Sequence, residues 1–134
     1  MTKRKYTKTR RAELQGETRA RIVDATMKLH EALGPAQTSI MAIAEAAGVQ
    51  RLTVYRHFPD DASLFEACTT HYLGLHPPPQ RAAWADIEHP GERSHAALLA
   101  FYQYYRQTEN MWRVAYRDRD QVAAMQVPMG RFEA

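Results

Sequence analysis

Apolar residues in this chain return at intervals of three and four and nowhere alternate over a useful length, a period that suits helices and argues against a sheet. Ile22, Ala25, Leu29 and Leu33 make one such stripe, predicting a helix over 17–33. Gly34-Pro35 should end it, since glycine suits the position just past a helix and proline cannot continue one. Thr38 or Ser39 can cap a second, two-turn helix whose inward residues are Ile40, Ile43, Ala44 and Ala47, until Gly48 breaks it. A third short helix runs from Gln50 to about His57 and is closed by Pro59. Asp60 caps a fourth, with Asp61 near the positive end of its dipole and Leu64, Phe65, Cys68, Tyr72 and Leu75 as its stripe. The run His76 to Gln80, "HPPPQ", stops that helix and marks the best boundary in the chain. Trp84 is expected to pack within the connection. Beyond it, Leu98, Leu99, Phe101, Tyr102 and Tyr105 are read as the apolar face of a fifth helix, followed by a sixth near Met111 to Tyr116 and a short seventh from Asp120 to Met125. The fold class is all-α.

At 134 residues with 45% hydrophobic content the chain is long enough to bury a core as one domain, or one small domain plus an appendage. Its charge is unevenly placed. Residues 1–21 carry eight Lys/Arg against Glu13 and Glu17, a balance of +6, which leaves −3 on the rest of a chain whose formal net charge is +3. A basic arm of this kind suits contact with a polyanion. Cys68 is the only cysteine, so no internal disulfide can form, and an intracellular, cytoplasmic setting is expected. No apolar run approaches the roughly 20 residues that cross a bilayer, so no membrane partner is expected. Six histidines raise the question of an enzyme. They form no i, i+4 pair with a suitable acid between them, and no glycine-rich phosphate loop or nucleophile elbow appears. Neither catalysis nor a metal or cofactor is expected.

Two short helices joined by a tight glycine turn, with a longer helix behind them, have the pattern of a helix-turn-helix. At about 100° per residue, Val54 and Phe58 define the buried side of the third helix. Leu52 and Arg56 then project about 160° away from Val54. Gln50, Arg51, Leu52 and Thr53 offer, at the entry end of the helix, the amide, guanidinium and apolar groups that read adenine, guanine and the thymine methyl. Tyr55, Arg56 and His57 can donate to phosphates. Alternatively, these are solvated residues and Leu52 is an ordinary exposed leucine.

The stretch "TSIMAIAEAAGVQRLTVYRHFPDDASLF", Thr38 to Phe65, resembles the DNA-binding signature of the TetR family of bacterial transcriptional regulators, and the likeness extends over about 21–72. The resemblance implies that Gln50, Arg51, Leu52 and Thr53 contact bases and that Thr38, Tyr55 and His57 contact phosphate. Ser39, Arg56 and the arm residues Lys3, Arg4, Lys5, Arg10 and Arg11 are further phosphate candidates. The arm is pictured as flexible, lying along the backbone or in the minor groove. Three positions depart from the family pattern: Met41 stands where many members carry a basic residue, Leu52 where glycine is frequent, and Asp61 where a lysine commonly grips phosphate. Asp61 would repel a phosphate, and the basic arm can compensate.

The reading therefore divides the chain into a basic flexible arm (1–16), a helix-turn-helix domain with its linking helix (17–75) and a short, incomplete helical region (76–134). The resemblance implies that this last region holds a small apolar or aromatic ligand, with Phe101, Tyr102, Tyr105, Trp112 and Tyr116 as candidate walls. Family members continue well beyond this length, and "QVPMGRFEA" cannot supply their long dimerisation helices. A dimer on a near-palindromic DNA operator remains the expectation. The function implied is a DNA-binding regulator, a repressor relieved by ligand. The alternative is an interaction module that forms mixed dimers with a full-length relative.

Overall fold

A computed structural model describes residues 2–133, with side chains from Tyr6 to Arg131. Among these residues all regular structure is helical. The first element, α1, spans Thr2–Leu33, so the 1–16 arm expected to be flexible is instead helical from Thr2 onward. Charge density suggested disorder, but Lys, Arg, Glu, Gln, Leu and Ala are all strong helix formers, and the only breaker inside the stretch is Gly16. No side chain from residue 6 to 17 is better than exposed, whereas Ile22, Val23, Ala25, Thr26 and Met27 are buried.

Gly34 ends α1 at φ 89°, outside the range open to residues with a Cβ, and its N–H donates to the His30 carbonyl at 2.8 Å. After a 3-10 turn at Pro35–Gln37, α2 (Ile40–Ala47) starts from Ser39, whose Oγ accepts the Ala42 N–H at 3.1 Å. It closes on Gly48 at φ 68°. The next two helices are α3 (Arg51–His57) and α4 (Asp61–Leu75), the latter capped by Asp60 accepting from the Ser63 N–H at 2.8 Å. Ile22, Val23, Ile43, Ala44, Val54, Phe58, Leu64 and Cys68 form the core that these four helices share. Burial pushes the Cys68 thiol up to about 12, so it behaves as an apolar packing group.

Past the proline segment, α5 runs unbroken over Pro90–Asp118 and absorbs the sixth helix expected at 111–116. A 3-10 turn at Ala123–Met125 stands where a seventh was expected, and α6 (Gln126–Glu133) follows. The face assigned to α5 is corrected: Leu98, Leu99, Phe101, Tyr102 and Tyr105 are exposed, while Tyr104, Thr108, Val114, Ala115 and Asp118 are buried. At 29 residues this helix is about 44 Å long; it packs on α1, and its buried residues all lie in its C-terminal half. Ala115, Met125 and Met129, with Phe65, Trp112 and Val122, make a second small core there.

A buried clasp locks the two parts together. Asp118 accepts the Ala36 N–H at 3.1 Å and the Arg117 Nε at 2.6 Å, while Arg117 Nη2 donates to the Leu33 carbonyl at 2.8 Å. The arginine's hydrogen bond, together with the Ala36 N–H, holds the Asp118 carboxyl below its usual range despite burial. Gly34 is doubly required here, because a Cβ at that position would run into Arg117 and Asp118.

Candidate nucleic-acid interface

The α2–α3 pair is shaped by its turn. With Gly48 in the left-handed region, the Val49 N–H reaches back to the Ala44 carbonyl at 2.9 Å, and α3 is sent across α2. Val54 and Phe58, 0% and 3% exposed, pin α3 to the core. Arg19 strengthens the attachment by lying 5.0 Å over the Phe58 ring, so one arm-proximal cation serves the fold.

Pinning by these two residues leaves Gln50, Arg51, Leu52, Tyr55 and Arg56 exposed, with Leu52 at 58%. The Gln50 backbone carbonyl receives the first N–H groups of α3, from Thr53 at 3.0 Å and Val54 at 3.3 Å, while its side-chain amide makes no cap bond. An amide, a guanidinium and an isobutyl group thus stand together at the helix entry. Thr53 is half-buried and sits apart from them, lining a groove with Arg56 and His57.

The phosphate candidates divide by what already engages them. Thr38 is half-buried and its hydroxyl donates to the Gly34 carbonyl at 2.8 Å, so its proton is occupied. Ser39 is exposed and uses only its oxygen in capping, which leaves its proton for a donor role. Arg10 and Arg11 are exposed on α1. The side chains of Lys3, Arg4 and Lys5 lie outside those described. Opposite Thr53, Arg56 and His57 of α3, the groove's other wall is α1 itself, through Arg11, Leu14, Gln15 and Thr18. Sequence reasoning did not single out Gln15 or Thr18. Their spacing with Arg11, at i+4 and i+7, puts all three on one helix face, a signal that was available once the arm was known to be helical. Met41 and Asp61 are both exposed, so neither departure from the family pattern is hidden by packing.

Of the proposed ligand walls, Phe101, Tyr102, Tyr105 and Tyr116 are exposed and Trp112 is half-buried. Four of the five form a ladder of rings, with centroids 6.3 Å apart for Phe101–Tyr105, 6.4 Å for Tyr105–Trp112 and 5.8 Å for Trp112–Tyr116. Phe101, Tyr105, Trp112 and Tyr116, with Pro78 and Tyr104, line one cavity of about 330 Å³, and a second, of about 90 Å³, lies between α1, α4 and the C-terminal helices. Trp112 alone of the five lines it; Met27, His30, Phe65, Met111 and Met129 are among the others. The first volume reaches the ~300 Å³ at which drug-sized ligands are usually held, and the second is well below it.

Comparison with known proteins places the same segment in one class. Residues 22–68 match the profile of the bacterial regulatory proteins, tetR family. The HTH-type transcriptional regulator AcrR of Shigella flexneri is 45% identical over 49 residues, 37% of this chain and 23% of that regulator. The HTH-type transcriptional regulator TtgR of Pseudomonas putida is 36% identical over 72 residues, 54% of this chain and 34% of that regulator. The probable HTH-type transcriptional regulator ArpR, also of Pseudomonas putida, matches to the same extent. The matches thus span about a quarter to a third of these relatives' lengths. No solved structure matches the chain significantly.

Proposed function

We propose, from the match of residues 22–68 to the profile of the bacterial regulatory proteins, tetR family, that this chain is a repressor that occupies an operator through α3 and leaves it when a small molecule binds. The observation that carries the reading is the exposure of Gln50, Arg51 and Leu52 at the entry of a helix pinned from behind by Val54 and Phe58. Arg51 reads a guanine through two hydrogen bonds, Gln50 an adenine, and Leu52 touches a thymine methyl. Ser39, Tyr55, Arg56 and His57 donate to flanking phosphates, and the cations of Arg56 and the basic N-terminal helix offset the repulsion expected from Asp61. Two copies are required for a near-palindromic site, and a cytoplasmic location fits a DNA partner.

The deciding experiment is selection of bound sequences from random DNA. A pair of related half-sites supports a dimer, and a single half-site rejects it. Arg51→Ala should cost about 1 to 3 kcal/mol and relax preference at one base pair. Equal losses on selected and random DNA would reduce Arg51 to a phosphate contact.

A second reading is favoured by the exposed face of α5, where Leu98, Leu99 and Tyr102 are 59%, 47% and 73% exposed. In it the chain pairs with a relative and removes it from DNA. A gel shift given by the relative alone and abolished by adding this chain would establish that reading over the first.

A further inference from the structure

The helical arm and the recognition helix share a wall-to-wall groove, and its charge is one-sided. Arg11, Gln15 and Thr18 of α1 face Thr53, Arg56 and His57 of α3 across it. At about 100° per residue, Lys8 lies on the same face of α1 as Arg11 and Gln15. Glu13 and Glu17, the acids of this half of the helix, fall on the opposite face, roughly 140° to 180° away. No carboxylate lines the groove. Thr18 already donates its hydroxyl to the Leu14 carbonyl at 2.9 Å, so the free donors there are Arg11, Gln15, Thr53, Arg56 and His57. A groove that offers donors and positive charge from both walls, with acids turned outward, is complementary to a sugar-phosphate strand.

We propose that one strand of the DNA duplex seats its backbone in this groove, gripped between α3 and a rigid helical extension of α1, and that the arm acts through this helix rather than as a loose basic tail. The inference rests on the DNA-binding reading above and adds to it Lys8 and Gln15, and a requirement for helical continuity. Gly16 is the hinge point of that requirement. It lies between the exposed half of α1 and the packed half, and a Cβ there would meet nothing within 4 Å.

The test uses the full chain on its selected DNA site, measuring affinity against salt concentration together with hydroxyl-radical footprints. The Lys8→Ala/Arg11→Ala double variant should lower the salt slope by about 2, with the selected sequence unchanged. Leu14→Pro removes no charge and no buried side chain, since Leu14 is exposed, but it interrupts the helix. It should lose the same slope and the same flanking protection as the double variant. Gly16→Ala, which favours helix, should bind at least as tightly as the parent. If Leu14→Pro matches the parent while the double variant weakens binding, the arm is a flexible tail and the proposal fails. An unchanged slope in the double variant also overturns it, whereas absence of any DNA binding by the parent overturns the DNA-binding reading itself.

Discussion

His30 shows how one side chain ties stability to pH. It is buried, stacked on Phe65 with centroids 5.0 Å apart, and desolvation draws its pKa from 6.5 down to about 4, against the opposing pull of Asp118. The unfolded chain takes up a proton as pH falls through about 6.5, while the folded chain refuses it until about 4. Stability should therefore decline across that window on acidification, by roughly 3 kcal/mol at its foot, and not on raising the pH. Asp118, whose carboxyl is held low, adds a loss in the same direction at lower pH. Urea midpoints measured from pH 7.5 to 4 check this: His30→Phe should flatten the decline, and an undiminished decline would assign it to other groups. The sequence shows His30 next to Leu29, a member of the α1 stripe. It could not reveal the ring partner, thirty-five positions away in the chain.

At the level of elements, the boundaries that local chemistry controls were legible. Ser39 and Asp60 cap α2 and α4, and Gly34 and Gly48 take the positive φ that their positions require. Each depends on neighbours within four residues. Gly34→Ala should destabilise the protein by about 2 to 4 kcal/mol, since it combines left-handed strain with displacement of Arg117 and Asp118. Thermal unfolding measures that loss, and a change below about 0.5 kcal/mol would mean that the turn relaxes freely. α5 was legible as a helix but not by its face. Its apolar residues cover more than half of the circumference, so periodicity alone could not choose between Tyr104 and Tyr102, which are 7% and 73% exposed. The arm failed for the opposite reason, because its lack of an apolar stripe was read as lack of a helix.

For the molecule as a whole, the clasp is the joint between the helices α1 to α4 and the C-terminal part. It holds α5 to the turn that launches α2, and Asp118 is 2% exposed. Asp118→Ala would leave the Ala36 N–H without its acceptor and the Arg117 guanidinium with only the Leu33 carbonyl, at a cost of about 1 to 3 kcal/mol. Hydrogen exchange should rise at Ala36 and along the C-terminal half of α5 before it rises at Val54; uniform acceleration throughout would show that the two parts unfold as one unit. The exposed Arg131–Glu66 pair, at 2.8 Å, joins α6 to α4 but contributes little by comparison.

By itself the sequence determined that the chain is helical, where α2, α3 and α4 start and stop, and which side of α3 turns inward, because caps, breakers and a 3.6-residue period act over a few residues. It also carried the likeness of Thr38 to Phe65 to the tetR family. Only the tertiary structure decided that the arm walls a groove beside α3, that the aromatic ladder of α5 lines a cavity with Pro78, and that Asp118 meets Ala36 across 82 positions. An apolar or charged stripe states what a face can bind. Whether a partner stands within reach depends on the path of the whole chain, and no local pattern records that path.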